Sequence, residues 1–389
     1  MEYARTDVVV VGAGPAGLTL SELLTRSGKN VTVVERQEDP TSAPQSVTLQ
    51  PGTVDLLTKT EIPIPWENST RKIRGVREYG PSGSVFARDY SELGPNVPDA
   101  RMMAQADLRR TLLERLRTRE EFFLRAGTEV AGIDSTEIEN CSLELVDNSA
   151  GGRKTRIECD WLVAADGKYS GTRQLAGIDS RVSDFDHTMT MLPVATPPGS
   201  EVVLDMHRDP EGLVVAAREA APGRTYVFVH THDRTLSSAD LIGHAADIVE
   251  RADGELAREI RTGADPKRNV TLRPQTVEAE SWRRNGALLL GDSAHGMHNL
   301  GAQGMNISLQ NSVLLGSALC DYSVRAMDET ENHRRPFVEK IQHSQHELGT
   351  DFWSPERSES WYEKRFEELA LGQRSARPLW DSAIPAGAK

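Results

Sequence analysis

The stretch DVVVVGAGPAGLTLSELLTRSGKNVTVVE, residues 7 to 35, admits few folds. Residues 8 to 11 are an unbroken β-branched run, the pattern of a strand covered on both faces, as in a parallel sheet. Leu18, Leu20, Leu23 and Leu24 then recur at helical spacing up to Gly28, and VTVVE reads as a second buried strand. Strand, helix and strand within about thirty residues make one βαβ unit. Three glycines stand in its first turn. Gly12 permits the tight reversal, Gly14 lets the backbone approach a pyrophosphate, and Gly17 lets the helix pack closely on the strand. The helix N-terminus offers free N–H groups and the positive end of its dipole to phosphate. Glu35, ending the second strand, is placed to accept ribose hydroxyls, with Arg36 beside it. The pattern predicts a dinucleotide site and leaves the dinucleotide open.

Two later stretches narrow the choice. CDWLVAADGKYSGTRQLAG and LLLGDSAHGMHNLGAQGMN each end an apolar strand with an aspartate and a glycine, so Asp166 and Asp292 are expected at the same sheet edge as Gly12. A flavin carries a linear ribityl chain whose hydroxyls carboxylates can anchor, and a nicotinamide dinucleotide does not. On this reading Asp292 holds that chain. The backbone of residues 301 to 306, opening the next helix, faces the pyrimidine edge of the ring, where the helix dipole stabilises the charge gained on reduction.

The fold class expected is α/β: a Rossmann-like FAD-binding domain with an inserted, mostly antiparallel β-sheet substrate domain and a helical C-terminal segment. The FAD-binding part is assigned to residues 1–75, 101–180 and 276–320. The substrate domain takes 76–100 and 181–275, where EVVLDMH, GLVVAAREA and RTYVFVHTH read as strands. REYGPSGSVFARDY reads as a hairpin, and NISLQNSVLLGSALCDYSVRAM as one long helix. Residues 321–389 form the helical segment, with Trp361, Tyr362, Phe366 and Leu369 on one face.

The three motifs together resemble the single-component FAD-dependent aromatic hydroxylases, the p-hydroxybenzoate hydroxylase-like family. The resemblance rests on GAGPAG with Glu35, on Asp166, Gly167, Ser170 and Arg173, on Asp292, His295, Gly301, Gly304 and Asn306, and on Gln105 in MAQADLR. It implies FAD, NADPH or NADH as electron donor, and oxygen as co-substrate, which adds at flavin C4a before one atom passes to an electron-rich ring. It assigns to the cofactor Gly12, Gly14, Ala16, Gly17, Glu35, Arg36, Gln105, Val130, Asp166, Asp292, Gly301, Gly304, Met305 and Asn306. Two positions depart from the family pattern. Gln45 and Gly52 stand where an arginine near the pyrophosphate is usual, and His298 and Asn299 replace two prolines beside the reactive face of the flavin. His298 and Asn299 are therefore the candidate catalytic residues.

A net charge of −13 with interspersed signs argues against nucleic acid or a polybasic membrane surface. No apolar run approaches a membrane span, and three scattered cysteines, Cys141, Cys159 and Cys320, suit a reducing cytoplasm. The expected partners are a small aromatic or polyketide-like substrate and oxygen, on a monomer or homodimer. No metal is expected: Asp292, His295 and His298 can be drawn as ligands, but a glycine-rich strand-to-helix loop suits a cofactor edge better. His207, His230 and His232 fall in the substrate sheet, where a surface or core role outweighs catalysis for each. Strand alternation puts His230 and His232 on one face. Tyr79, Phe86, Met102 and Met103 are candidate pocket residues. Within the same fold the alternatives are a reductase or dehydrogenase without oxygen transfer, or an epoxidase or Baeyer–Villiger oxygenase. A flavin halogenase is disfavoured, since no WxWxIP-like segment occurs.

Overall fold

The computed structural model describes residues 3–42, 46–197, 202–221, 223–350 and 359–371. Gln45 lies outside them. Five parallel strands form the centre of the main sheet, in the spatial order Ala287–Leu289, Arg153–Ala164, Tyr3–Val11, Val31–Val34 and Phe122–Arg125. Arg153–Ala164 pairs along one edge with Tyr3–Val11, and along the other first with the antiparallel strand Asn140–Asp147 and then with the parallel strand Ala287–Leu289. Val8, Val9, Val10, Val31 and Val33 are fully buried because helices cover both faces.

On one face the helices Pro15–Arg26, Gln105–Leu116 and Gln303–Cys320 pack through Leu18, Leu20, Leu24, Leu108, Leu112 and Leu309. Each such leucine stabilises the fold by about 1.5–3 kcal/mol. Pro15 starts the first helix at a position where its missing N–H is not needed. Gly28, at φ 80°, ends it, and Lys29 N–H returns to the Leu24 carbonyl at 3.1 Å. On the other face Val9, Leu162, Ala164 and Leu289 meet Val338 and Ile341 of the helix Val324–Thr350.

The long helix expected through residue 327 is two helices. It stops at Cys320, Tyr322 takes φ 51°, and Ser323 caps the next helix by accepting Ala326 N–H at 3.1 Å.

The second large sheet has seven strands, all antiparallel neighbours except Val203–Asp209 beside Gly75–Gly80. The hairpin Gly75–Gly80 and Gly83–Asp89 forms one edge of it. Alternation divides its side chains. Val214, Ala216, Val227 and Val229 pack beneath the helices Ser238–Glu250 and Gly254–Gly263. Their neighbours Val215, Ala217, Phe228 and His230 face the other way, into a cavity. The helix Glu359–Leu371 closes that cavity, with Tyr362 and Phe366 stacked and tilted on Phe86 and Tyr90 at ring separations of 5.4 and 5.1 Å. A separate ribbon of Ser180–Asp184 with Gln275–Ala279 connects the two parts.

Candidate active site

Gly12, Asp166 and Asp292 follow the C-terminal ends of three adjacent parallel strands. That is the crevice where open α/β sheets take ligands. The glycines of the first loop divide their work. At Gly12, φ is 107° and an added Cβ would stand 2.4 Å from the Ala165 carbonyl oxygen; at Gly17 it would stand 2.3 Å from the Gly12 oxygen. Those two glycines serve packing. An added Cβ at Gly14 meets nothing within 4 Å. Gly14 instead borders a cavity of about 830 Å³, together with Gly12, Pro15 and Ala16. The protein does not use the space above Gly14, which suits a ligand that must approach the backbone there.

Acidic groups surround this space in different states. The Glu35 carboxylate accepts Ala13 N–H at 2.8 Å and Gln37 N–H at 2.9 Å, tying the end of the second strand to the glycine turn. A carboxylate has lone pairs beyond those two, so capacity for ribose hydroxyls remains. Asp166 accepts the Ser170 hydroxyl and Thr172 N–H, the latter at 3.1 Å, so it organises its own loop. Asp292 makes no hydrogen bond to a described residue, and burial raises its pKa, partly offset by Lys168. It is a carboxylate inside the cavity without a hydroxyl to accept. Any hydroxyl-bearing ligand in the cavity would supply that need.

Of the residues assigned to the cofactor, Gly12, Gly14, Ala16, Glu35, Arg36, Gln105, Val130, Asp166, Asp292, Gly301, Gly304 and Met305 border the cavity. Gly17 and Asn306 lie behind its wall. Asn306 spends its amide on the chain: its oxygen accepts Gln50 N–H at 2.8 Å, and its NH₂ donates to the Thr48 and Ala302 carbonyls at 2.8 and 2.6 Å. It clasps the start of the helix Gln303–Cys320 to the strand Ser46–Leu49. The helix opens on a left-handed turn, Gly301 at φ 76° and Ala302 at φ 53°.

Both candidate catalytic residues border the same cavity, His298 buried and Asn299 exposed. Beyond them the wall becomes apolar, with Leu204, Met206, Val215 and Phe228 opposite Tyr362 and Phe366. Charged groups on this wall are the buried ion pair between Glu78 and Arg208, and Arg365 beside Phe366. Phe86 and Met102 are on the wall, whereas Tyr79 is turned away and stacks on His207 at 4.8 Å. Met103 belongs to the core. His230 and His232 part company because the strand ends at Thr231: His230 is fully buried, and His232 lies 3.2 Å from Asp186 near the surface.

The sequence reading singled out neither the Glu78–Arg208 pair nor the apolar wall residues Leu204, Met206, Val215 and Phe228, and two further residues escaped it. Arg109 reaches the cavity on the same helical face as Gln105, one turn earlier, and donates to the Pro40 carbonyl at 3.1 Å. The i, i+4 spacing was the available signal. His187, whose Nε2 lies 2.9 Å from Nε2 of His298, carried none.

Residues 5–344 match the family described as FAD binding domain. The chain is 31% identical over 359 residues to protoasukamycin 4-monooxygenase of Streptomyces nodosus subsp. asukaensis, covering 88% of each chain. It is 30% identical over 351 residues to 6-methylpretetramide 4-monooxygenase of Streptomyces rimosus, covering 87% of this chain and 82% of that one. The solved structure of p-nitrophenol 4-monooxygenase from Pseudomonas putida DLL-E4 shares the fold, with a TM-score of 0.78 at 19% identity over 99% of this chain and 100% of the other. With the open ground above Gly14 and the unpartnered carboxylate of Asp292 explained by one cofactor, the chain belongs to the FAD binding domain family and is an FAD-dependent monooxygenase of the aromatic hydroxylase kind.

Proposed function

We propose that the protein hydroxylates a phenolic ring of a polyketide-derived or comparable fused aromatic molecule, with NADPH or NADH as electron donor and oxygen as second substrate. One observation carries the reading: a single cavity runs from the backbone at Gly14 to the apolar chamber between the seven-stranded sheet and the helix Glu359–Leu371. Bound FAD supplies the reaction with oxygen; the chain supplies position, dryness and proton control. Gly12, Gly14, Ala16 and the helix they open hold the pyrophosphate, with Arg109 as the nearby cation. Glu35 and Arg36 take the adenosine end, Gln105, Val130 and Asp166 border the middle, Asp292 anchors the ribityl chain, and Gly301, Gly304 and Met305 back the ring. Gly17 and Asn306 act through the loops they brace. Residues 1–75, 101–180 and 276–320 thus serve FAD, and 76–100 with 181–275 serve the substrate.

In the chamber, Leu204, Met206, Val215 and Phe228 exclude water from the ring to be hydroxylated. The Glu78–Arg208 pair is the polar contact for a ring substituent. His298 and Asn299 stand where the two halves meet and govern protonation there. The relatives named for protoasukamycin and 6-methylpretetramide support a substrate of that size and type.

The test is a panel of phenolic and polyketide compounds, each scored for stimulation of NADPH oxidation and for incorporation of labelled oxygen. A true substrate raises both together. Rapid peroxide release with every compound, and no labelled product, would make the protein a reductase or oxidase instead.

The cofactor assignment has its own test in Asp292→Asn. Replacing a charge-assisted hydrogen bond by a neutral one is expected to weaken FAD binding about ten- to a hundredfold. The FAD-free variant should melt no lower than the parent, because the buried carboxylate it loses is destabilised by desolvation. Fluorescence titration and thermal melts check both, and an unaltered dissociation constant would put the ribityl anchor elsewhere.

A further inference from the structure

His187, His230 and His298 are all buried, and one ligating ring nitrogen from each lies within 4.8 Å of the others. They arrive from three separate segments. His187 immediately precedes the strand Thr188–Ala195, His230 is near the end of Arg224–Thr231, and His298 is in the loop before Gln303–Cys320. Sheet register sets the first two, since Met189 pairs with His230. An amide clamp sets the third: Gln345 accepts His298 N–H at 3.1 Å and donates to its carbonyl at 2.9 Å. The rings are therefore held by the fold, not by one pliable loop.

We propose that these three histidines bind one divalent cation of the zinc class, leaving a fourth coordination position toward the cavity that His230 and His298 border. Three imidazoles select such a borderline cation over magnesium or calcium, which demand oxygen ligands. The Nε2 atoms of His187 and His298 stand 2.9 Å apart. Two nitrogens at about 2.0–2.1 Å from a tetrahedral zinc are roughly 3.4 Å apart, so the pair needs to open by about half an ångström.

Two hydrogen bonds oppose coordination and set its strength, one between the Nε2 atoms of His187 and His298 and one behind His298. Leu300 N–H donates to His298 Nδ1 at 3.0 Å, which places the ring proton on Nε2. Ligation through Nε2 moves that proton to Nδ1 and gives up both bonds, lowering affinity about ten- to a hundredfold. Set against the affinity of preformed zinc sites, that leaves binding at about 10 µM or tighter. The open position suits a phenolate or ortho-hydroxyketone oxygen, but the site stands on the three side chains and does not depend on the proposed substrate.

The full-length flavoprotein, stripped with EDTA and desalted, is titrated with Co²⁺ as the spectroscopic stand-in for Zn²⁺. A visible d–d band beyond the flavin absorption, saturating at one equivalent and abolished by Zn²⁺, is the expected result. His187→Ala should weaken it by at least about a hundredfold, the loss of one of three ligands, with flavin content unchanged. His187→Asn, which refills part of the space, is the second variant. Absence of the band in the parent protein overturns the proposal. So does Co²⁺ binding of equal strength in parent and variants, which would locate the cation on other histidines.

Discussion

Between pH 7 and pH 5 two buried histidines alone are expected to cost the FAD-free protein about 4 kcal/mol of stability, and about 6 kcal/mol by pH 4. Desolvation lowers His207 to about 4 and His295 to about 3. His207 is stacked on Tyr79, and His295 packs on Trp282 at 4.9 Å with Nε2 engaged by Asn311 at 2.9 Å. In the unfolded chain both titrate near 6.5, so above that value neither state binds the proton and their stability contribution is complete. As the pH falls below 6.5 the unfolded chain takes up protons that the folded protein refuses. Each histidine then removes about 1.4 kcal/mol per pH unit, until its own folded value is reached. Asp205 and Asp292, whose pKa values burial raises, act with the opposite sign, restoring stability as they protonate nearer the carboxylate range. Against a total of about 5–15 kcal/mol, the histidine term is large. Denaturant unfolding at pH 7 and pH 5 measures it. His207→Phe, which keeps a ring on Tyr79, should flatten the slope by about 1.4 kcal/mol per pH unit. A stability independent of pH over this range, or an unaltered slope in that variant, would mean that these rings protonate without unfolding.

What the sequence made legible follows from the range of the interactions involved. The glycine loops, their terminal acids and the parallel strands are local chemistry: a turn that needs φ 107° at Gly12 and a Cβ-free contact at Gly17 declares itself within a dozen residues. The α/β class and the inserted antiparallel sheet followed from strand patterning of the same range. Arg109 was within reach of such reasoning, since a helix beginning at Gln105 presents both residues to one side. His187 was not. It meets His298 111 positions away only because the strand Thr188–Ala195 pairs in one register and the loop at 298 is clamped by Gln345. The apolar face of residues 361 to 369 was visible as a spacing, but its use as a cavity wall depends on docking against Phe86 and Tyr90. Helix continuity at residues 321 to 323 was misread because apolar spacing persists through the break, while the break itself is made by backbone conformation at Tyr322.

Gly14→Val and Gly17→Ala should separate cofactor binding from folding, with the larger side chain doing less harm to the fold. Gly14 has φ −72° and ψ 168°, an extended conformation open to any L-residue, and its Cβ would project into free space. The valine variant is therefore expected to fold with an FAD-free melting temperature close to the parent's. It should nevertheless bind FAD at least about a hundredfold more weakly, because the valine occupies the ground where phosphate oxygens meet backbone N–H groups, and one or two charge-assisted hydrogen bonds account for about 3 kcal/mol. At Gly17 a single methyl group would sit 2.3 Å from the Gly12 carbonyl oxygen and 3.1 Å from Val10 Cγ1. Backbone cannot yield there without parting the first helix from its strand, so the alanine variant should lose about 1–3 kcal/mol or more with no cofactor present. Thermal melts of both FAD-free variants, beside flavin titrations, decide the matter. If Gly14→Val retained FAD at the parent's affinity, the space above Gly14 would not be the phosphate site. If Gly17→Ala melted with the parent, the close approach of helix to strand would not be a source of the fold's stability.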